Sequence, residues 1–161
     1  MARNKCPTCG MVETLKDGTT ELSTTFGAQV FVATVPAEVC GTCGEAIVTS
    51  ATLGAYENTV TRALIASGAS DGKALKWVRK SAGLTGVELA RLLGVAPETV
   101  SRWENNAQVP DRAAVALLGA LALDALEGRT TTRDHLDALA RAVTAAVVPA
   151  RVVLQVLPSA A

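Results

Sequence analysis

A repeated Cys-x-x-Cys-Gly motif constrains the fold of this chain more than any other feature. Two residues between the cysteines place both thiolates on one side of a tight turn, and the glycine that follows can adopt positive φ. Two such turns supply the four sulfur ligands of a tetrahedral structural Zn²⁺ site, and a shell of four thiolates leaves no open position for catalysis. The sequence therefore predicts one structural Zn²⁺ per chain, with the ligands Cys6, Cys9, Cys40 and Cys43.

Iron binding and redox chemistry are the alternatives to zinc at these cysteines. A single Cys-x-x-Cys pair is also typical of thioredoxin-like redox proteins, but that interpretation requires a βαβ context and gives the second pair no role. The only histidine, His135, is predicted to lie on a helix surface. Glu38 and Glu45, beside the second motif, are predicted to be solvated or to face a partner. The chain is therefore not expected to be an enzyme.

The 30 residues between Cys9 and Cys40 must form structure of their own. The usual spacing of such paired motifs is about 15 to 20 residues. Residues 24–35 alternate β-branched and aromatic side chains around a glycine, which predicts a strand, a turn and a strand. A module of about 50 residues buries too little apolar surface to fold easily unaided. We therefore expect residues 1–50 to be a small β-rich module whose fold depends on the metal.

The remainder of the chain has helical patterns of apolar residues. Residues 52–66 are predicted to form one amphipathic helix, and the polar, glycine-containing residues 67–72 are typical of a linker. Residues 51–72 are accordingly predicted to connect two modules.

Residues 73–127 have the capping signals of a compact four-helix domain. Gly83 and Gly94 end two helices, Thr85 and Glu88 form a capping box, and Pro97 opens the third helix. A helix, a three-residue turn and a second helix make the DNA-binding geometry in which the second helix enters the major groove. The predicted fold class is α+β, with a β-rich four-cysteine module followed by an all-α domain.

Residues 84–106 resemble the lambda Cro/cI, or Xre-type, helix-turn-helix family. The shared residues are Leu89-Ala90, Gly94-Val95, Val100-Ser101-Arg102, Glu104-Asn105 and Pro110. The resemblance implies a lambda-repressor-like domain. It also implies that Arg79 pairs with Glu104 and so connects the first helix to the end of the recognition helix.

The cysteine motifs extend this resemblance. The first motif, residues 35–45 and the Xre-type domain are together similar to the YgiT-type (MqsA-like) zinc-finger antitoxins, over about residues 4–126. The resemblance implies that the zinc domain binds a cognate protein toxin, while the helical domain dimerises and represses the shared operon. Residues 128–161 match nothing in that pattern.

The exposed face of the third predicted helix is expected to read DNA bases. Pro97 has no donor and Val100 is needed for the core, which leaves Glu98, Thr99, Ser101 and Arg102. The planar fork of Arg102 can contact guanine O6 and N7 together. Glu98 either accepts from cytosine N4 or orients Arg102 from four residues away.

Contacts to the DNA backbone are expected from a second set of residues. Residues 73–112 carry seven basic and four acidic side chains, so any nucleic-acid surface is expected in this half of the chain. Gly86 replaces a glutamine of the family, so only its backbone N–H is available to a phosphate. Trp77 and Trp103 are predicted to pack in the core rather than to stack on bases. The expected backbone contacts are Gly86, Lys73, Lys76, Asn105 and Asn106.

A homodimer is expected, because one helix-turn-helix covers only one half-site. The protein is expected in the cytoplasm. Residues 128–161 form a possible dimerisation element, in which residues 151–157 are predicted to be a strand and four residues make one helical stripe, namely Leu136, Leu139, Val143 and Val147. The apolar residues 143–157 are interrupted by polar residues and proline, so no membrane span is expected. No signal-peptide pattern is visible, and paired cysteines are typical metal ligands in a reducing compartment.

Three classes of function are compatible with these features. The first is a sequence-specific repressor that binds operator DNA and acts as the antitoxin of a type II toxin-antitoxin pair. The second is a stand-alone zinc-containing Xre-family regulator without a toxin. The third is a redox protein or other enzyme, which would require freely titrating thiols in the native protein.

Overall fold

The computed structural model describes residues 5–68 and 70–144. Within these residues an antiparallel sheet with strand order β1-β2-β3 is followed by six helices, which confirms the predicted α+β fold. The strands are β1 (Leu15–Phe26), β2 (Gln29–Cys40) and β3 (Ala46–Ile47). The helices are α1 (Ser50–Ser67), α2 (Gly72–Ser81), α3 (Gly86–Leu93), α4 (Pro97–Glu104), α5 (Arg112–Leu126) and α6 (Thr131–Thr144).

Strands β1 and β2 form a long hairpin whose turn lies at Gly27. Their pairing runs without a break from Leu15 opposite Cys40 to Phe26 opposite Gln29. Gly27 has φ +56°, which a two-residue hairpin turn with glycine at its first position requires. The hairpin extends beyond the predicted residues 24–35, because backbone hydrogen bonds at the cysteine turns continue the ladder where the β-branched pattern has ended.

Helix α1 packs along this hairpin. The hydroxyl of the buried Tyr56 donates to the carbonyl of Phe31 at 3.2 Å and lies 2.9 Å from Thr24 Oγ1. Val60 and Leu64, one and two turns further along α1, are also buried. The helical face predicted from the sequence therefore covers the sheet at one end and the helical bundle at the other.

The hairpin and the helices share one hydrophobic core. Phe26, at the end of β1, packs edge-on against Trp77 of α2 with ring centroids 5.4 Å apart. The Trp77 indole N–H in turn donates to Thr61 Oγ1 of α1 at 2.9 Å. Phe26, Val35 and Tyr56 belong to the same buried cluster as the helical domain. The hydrophobic core is thus continuous across residues 50 and 72, the predicted boundaries between the β-rich module, the connecting segment and the helical domain.

The helices α3 to α5 begin where their capping residues predict. Thr85 Oγ1 accepts from the Glu88 backbone N–H, and the Glu88 carboxylate accepts from the Thr85 backbone N–H at 2.8 Å. These hydrogen bonds lower the pKa of Glu88. Pro97 occupies the first turn of α4, and Asp111 caps α5 by accepting from the Ala114 backbone N–H.

Helix α6 packs against α3 and α5. Arg91 donates to Asp137 at 2.7 Å and lowers the pKa of that carboxyl group, and Arg133 donates to Glu88 at 3.4 Å. Leu136 is half-buried against the chain's own core, whereas Leu139 is exposed. Val147 and the predicted strand 151–157 lie outside the described residues. Within the described ranges, no helix combines the length and apolar character needed to cross a bilayer.

The start of α2 lies against the end of α4 without room for a side chain at residue 72. A Cβ atom at Gly72 would overlap the carbonyl group of Glu104 and lie 2.7 Å from the carbonyl oxygen of Trp103. Those oxygens belong to the backbone and cannot rotate away. Residue 72 is therefore the first residue of a helix fixed by close packing, although its sequence context is typical of a linker.

Gly72→Ala is expected to lower the free energy of unfolding by about 1–3 kcal/mol, because the methyl group overpacks a backbone contact. Gly54→Ala is the matched control, since a Cβ at this helical glycine meets nothing within 4 Å. That substitution should stabilise the protein by about 0.5–1 kcal/mol. Urea unfolding of both variants measures the difference, and equal effects of the two substitutions would contradict the close contact.

Candidate metal centre and nucleic-acid interface

The two cysteine turns have the same backbone hydrogen-bond pattern. In the first turn the Cys6 N–H donates to the carbonyl of Met11 at 2.9 Å, and the Gly10 N–H donates to the carbonyl of Cys6 at 2.9 Å. In the second turn Cys40 and Gly44 make the equivalent bonds, at 2.8 and 2.9 Å. Gly10 and Gly44 have φ +74° and +75°. The turn that the motif predicts is thus built twice, and the hairpin brings the copies together.

The four sulfur atoms form one compact cluster. Cys6 Sγ lies 3.7 Å from Cys43 Sγ, and Cys9 Sγ lies 3.7 Å from Cys40 Sγ. All four ligand atoms lie within 4.8 Å of one another. Four sulfurs placed tetrahedrally at about 2.3 Å from a metal ion are about 3.8 Å apart. The cysteines are not joined as disulfides, and their arrangement fits a tetrahedral metal ion.

Hydrogen bonds and burial shift the pKa values of the thiols of this cluster in opposite directions. The Thr14 side chain, 3.3 Å away, and the backbone of Cys43 and Thr42 lower the pKa of the Cys40 thiol to about 6. The pKa of the Cys43 thiol is about 12, because the thiolate-favouring hydrogen bond from the Glu45 backbone is outweighed by desolvation and by the other thiols. A cation that binds all four sulfurs must therefore displace protons.

The acidic side chains near the cysteines are not part of the cluster. Glu38 lies on β2, Glu45 follows the second turn, and both are exposed. Among the described residues, the one group of metal-binding side chains within ligand distance of each other consists of the four cysteines. Neither carboxylate completes a metal site of mixed donors.

Helix α4 is held against α2 by a buried ion pair. The Arg79 guanidinium donates to both carboxylate oxygens of Glu104, at 2.5 and 3.2 Å, and to the carbonyl of Leu84 at 2.6 Å. Both charged side chains are only 10% exposed. Arg79 thus fixes the end of α4 and the turn that precedes α3.

One face of α4 faces solvent. Val100 and Trp103 are buried, whereas Glu98, Ser101 and Arg102 are exposed and Thr99 is half-buried. The residues that were predicted to read bases therefore lie on the outer side of the helix. Trp103 lies in the core, and its indole N–H has no hydrogen-bond partner among the described residues.

The residues that were predicted to contact the DNA backbone fall into two groups. Lys73 and Lys76 are exposed on α2, and Gly86 is the first residue of α3. The two asparagines instead bind within the chain. The Asn105 amide donates to the carbonyl of Ser101 at 2.8 Å, and Asn106 Oδ1 accepts from the Gly72 N–H at 2.7 Å.

Asp71, which lies in the predicted linker 67–72, is a structural residue. Its Oδ1 atom accepts from the backbone N–H groups of Lys73 and Ala74, so it is the N-cap of α2. Asp followed by a helix start is an ordinary capping signal. The neighbouring glycines hid this signal, because they are typical of a flexible connection.

Comparison with known proteins gave one family. The family model described as the antitoxin component of a bacterial toxin-antitoxin system, MqsA, matches residues 4–127. This range includes both cysteine turns and helices α1 to α5, and it ends before α6. A search of curated proteins found no match.

Removing the metal is expected to unfold the cysteine turns but not the whole hairpin. The turns are exposed loops held together by the cluster, whereas Phe26 and Tyr56 are anchored in the helical core. Hydrogen exchange measured with and without a chelator should lose protection near the cysteine turns and keep it near Phe26. Loss of protection throughout residues 15–40 would contradict the anchoring role of the core.

Cys6→Ser is expected to lower the bound metal below one ion per chain, because it removes one of four sulfur ligands. Thr8→Ser, in the same turn, is the control and should retain the metal.

Metal binding at pH 7 should also release protons, since the pKa of Cys43 is about 12 in the metal-free cluster. Titration calorimetry in buffers of different ionisation enthalpy measures this proton release. Titrations at several pH values should show that the affinity for the metal rises with pH. An affinity independent of pH would count against a four-thiolate site.

Proposed function

The chain belongs to the MqsA antitoxin family, and from that premise we propose that it is a DNA-binding repressor that also binds a cognate protein toxin. In this proposal α3 and α4 form the helix-turn-helix that reads operator DNA. The four-cysteine end of the hairpin is a structural zinc module that presents the toxin-binding surface. Because its proposed target is DNA, the protein is proposed to act in the cytoplasm.

The observation that carries the DNA-binding proposal is the outer face of α4. This helix is fixed from behind by the Arg79–Glu104 ion pair, while Glu98 and Arg102 point away from the core. In the described residues neither of these two side chains has an ion pair or hydrogen bond. These charged side chains make no ion pair or hydrogen bond within the described residues, and the helix that carries them is fixed in place. Both observations support base reading by this face of α4.

Individual roles follow from these positions. Arg102 contacts guanine O6 and N7 through its planar fork. Glu98 accepts from cytosine N4, a role supported by its lack of an ion pair with Arg102. Thr99 and Ser101 lie at the edges of the reading face. Lys73 and Lys76 contact phosphates, as does the N–H of Gly86 at the start of α3.

Zinc is the proposed metal because the donor set contains only thiolates at tetrahedral spacing. The surface next to this site carries exposed apolar side chains. Met11 and Val12 follow the first cysteine turn and are 50% and 57% exposed. Exposed apolar groups on a small module support a protein partner at this end of the chain.

The proposed oligomeric state is a homodimer, because one helix-turn-helix reads one half-site and two half-sites lie about one DNA turn apart. The side chain of Leu136 packs against the core of its own chain, so it contributes little to a dimer interface. Leu139 remains exposed at 48%. The dimer proposal rests on the two half-sites rather than on the full apolar stripe of α6.

Arg102→Ala is expected to reduce the preference for the chain's own promoter over random DNA by about 1–3 kcal/mol, because it removes a bidentate base contact. The protein should remain folded, since Arg102 is exposed. Fluorescence anisotropy with both DNAs measures the preference. An unchanged preference would mean that α4 is not the reader.

Lys76→Ala is the companion substitution. Loss of a phosphate contact should weaken binding to both DNAs by the same factor and reduce the slope of log affinity against log salt by about 1. The preference for the promoter should not change. A change in preference would mean that Lys76 contacts a base.

Toxin binding is tested by co-expression with the small protein encoded beside this gene. Val12→Lys should weaken the complex, because it places a charge on the exposed apolar surface beside the first cysteine turn. Val87→Lys, at another exposed apolar residue on α3, should not weaken it. If no neighbouring product binds or is neutralised, the alternative of a stand-alone zinc-containing regulator is favoured.

A further inference from the structure

The turn of the hairpin contacts the first residues of α2. A Cβ atom built on Gly27 would lie 3.6 Å from Asp71 Oδ2, so the two residues are neighbours. The preceding Phe26 packs against Trp77 one and a half turns further along α2. The hairpin turn is thus seated on α2 by an aromatic contact and by proximity to one carboxylate.

Asp71 uses its two oxygens for two different purposes. Oδ1 caps α2, whereas Oδ2 accepts from the side-chain amide of Asn106 at 3.3 Å. The oxygen that faces the hairpin turn is therefore the same oxygen that binds Asn106. A negative charge at the turn would repel the Asp71 carboxylate at short range and would so act on this solvent-exposed hydrogen bond.

Asn106 connects this carboxylate to the end of α4. Its Oδ1 accepts from the Gly72 N–H at 2.7 Å, and its backbone N–H donates to the carbonyl of Trp103 at 3.1 Å. Asn106 has φ +57°, a left-handed conformation that asparagine tolerates better than most residues. Its side chain and backbone therefore fix the chain at the point where α4 ends.

We propose that Asp71 and Asn106 are positioning residues that connect the hairpin turn of the metal-binding module to the DNA-reading helix. Displacement of the turn weakens the Asp71–Asn106 hydrogen bond, loosens the end of α4 and lowers the affinity for DNA. The DNA part of this inference rests on the proposed function. The contacts that connect Gly27 to the end of α4 do not depend on the proposed function.

The test places a charge at residue 27 and reads the response at α4. Gly27→Asp and Gly27→Asn are matched, because both side chains tolerate positive φ and only the first adds a negative charge beside Asp71. Each substitution is made in the wild type and in an Asp71→Ser background. Serine keeps an N-cap but lacks the second oxygen that binds Asn106.

The first readout is amide hydrogen exchange by NMR in the metal-loaded full-length protein without DNA. Gly27→Asp should accelerate exchange at residues 105–107 by about 5-fold or more, the lower end of typical coupling between sites. Gly27→Asn should not. Asp71→Ser should produce the same acceleration alone, and adding Gly27→Asp to it should have no further effect. Asp111→Ser, the same substitution at the cap of α5, should leave these amides unchanged.

The second readout is the dissociation constant for the chain's own promoter, which should rise in parallel with exchange. Equal exchange at residues 105–107 in Gly27→Asp and Gly27→Asn would overturn the inference. It would also be overturned if Gly27→Asp acted equally in the Asp71→Ser background, because that result indicates a long-range charge effect. If exchange responds as expected but the wild type binds no DNA, the positioning role stands and the proposed function fails.

Discussion

The helical half of this protein depends on the placement of one buried cation. Arg79 lies inside the domain and directs its guanidinium to both oxygens of Glu104 and to the carbonyl of Leu84. Removing one partner of a buried ion pair typically costs about 3–5 kcal/mol, because the remaining charge stays desolvated. The pair is therefore poorly suited to be a source of net stability, but it specifies one arrangement. Together with the buried Val100 and Trp103, the Arg79–Glu104 pair holds α4 in the orientation that exposes Glu98 and Arg102.

The hairpin is stabilised by different physics at its two ends. At the cysteine end the turns bring together four sulfur atoms that can hold one metal ion. At the other end Phe26 and Phe31 pack against each other and against the core that the helices share. The hairpin thus shares its hydrophobic core with the helices. This arrangement explains how the sheet reaches twelve residues per strand with few buried side chains of its own.

The features that the sequence predicts well are those that depend on local spacing. The cysteine turns, the capping box at Thr85 and the apolar face of α1 each require residues only a few positions apart. The features that it misses depend on distant partners. The role of Gly72 is set by carbonyl groups of α4 about thirty residues away, and the hydrogen bond from the Gly72 N–H to Asn106 Oδ1 spans a similar separation in the sequence. The docking of α6 on α3 likewise includes two ion pairs, Arg91–Asp137 and Arg133–Glu88, that no local pattern reveals.

The length of the hairpin sets a spatial scale for whatever binds this protein. Each long strand has twelve residues, and at about 3.3 Å per residue it spans roughly 36 Å between the cysteine turns and Gly27. That length is close to one turn of B-form DNA, about 34 Å. A ligand that contacts only the cysteine end therefore stays roughly 36 Å from the hairpin turn beside Asp71. A single molecule that touches both the cysteine turns and the residues around Asp71 must itself be at least that long.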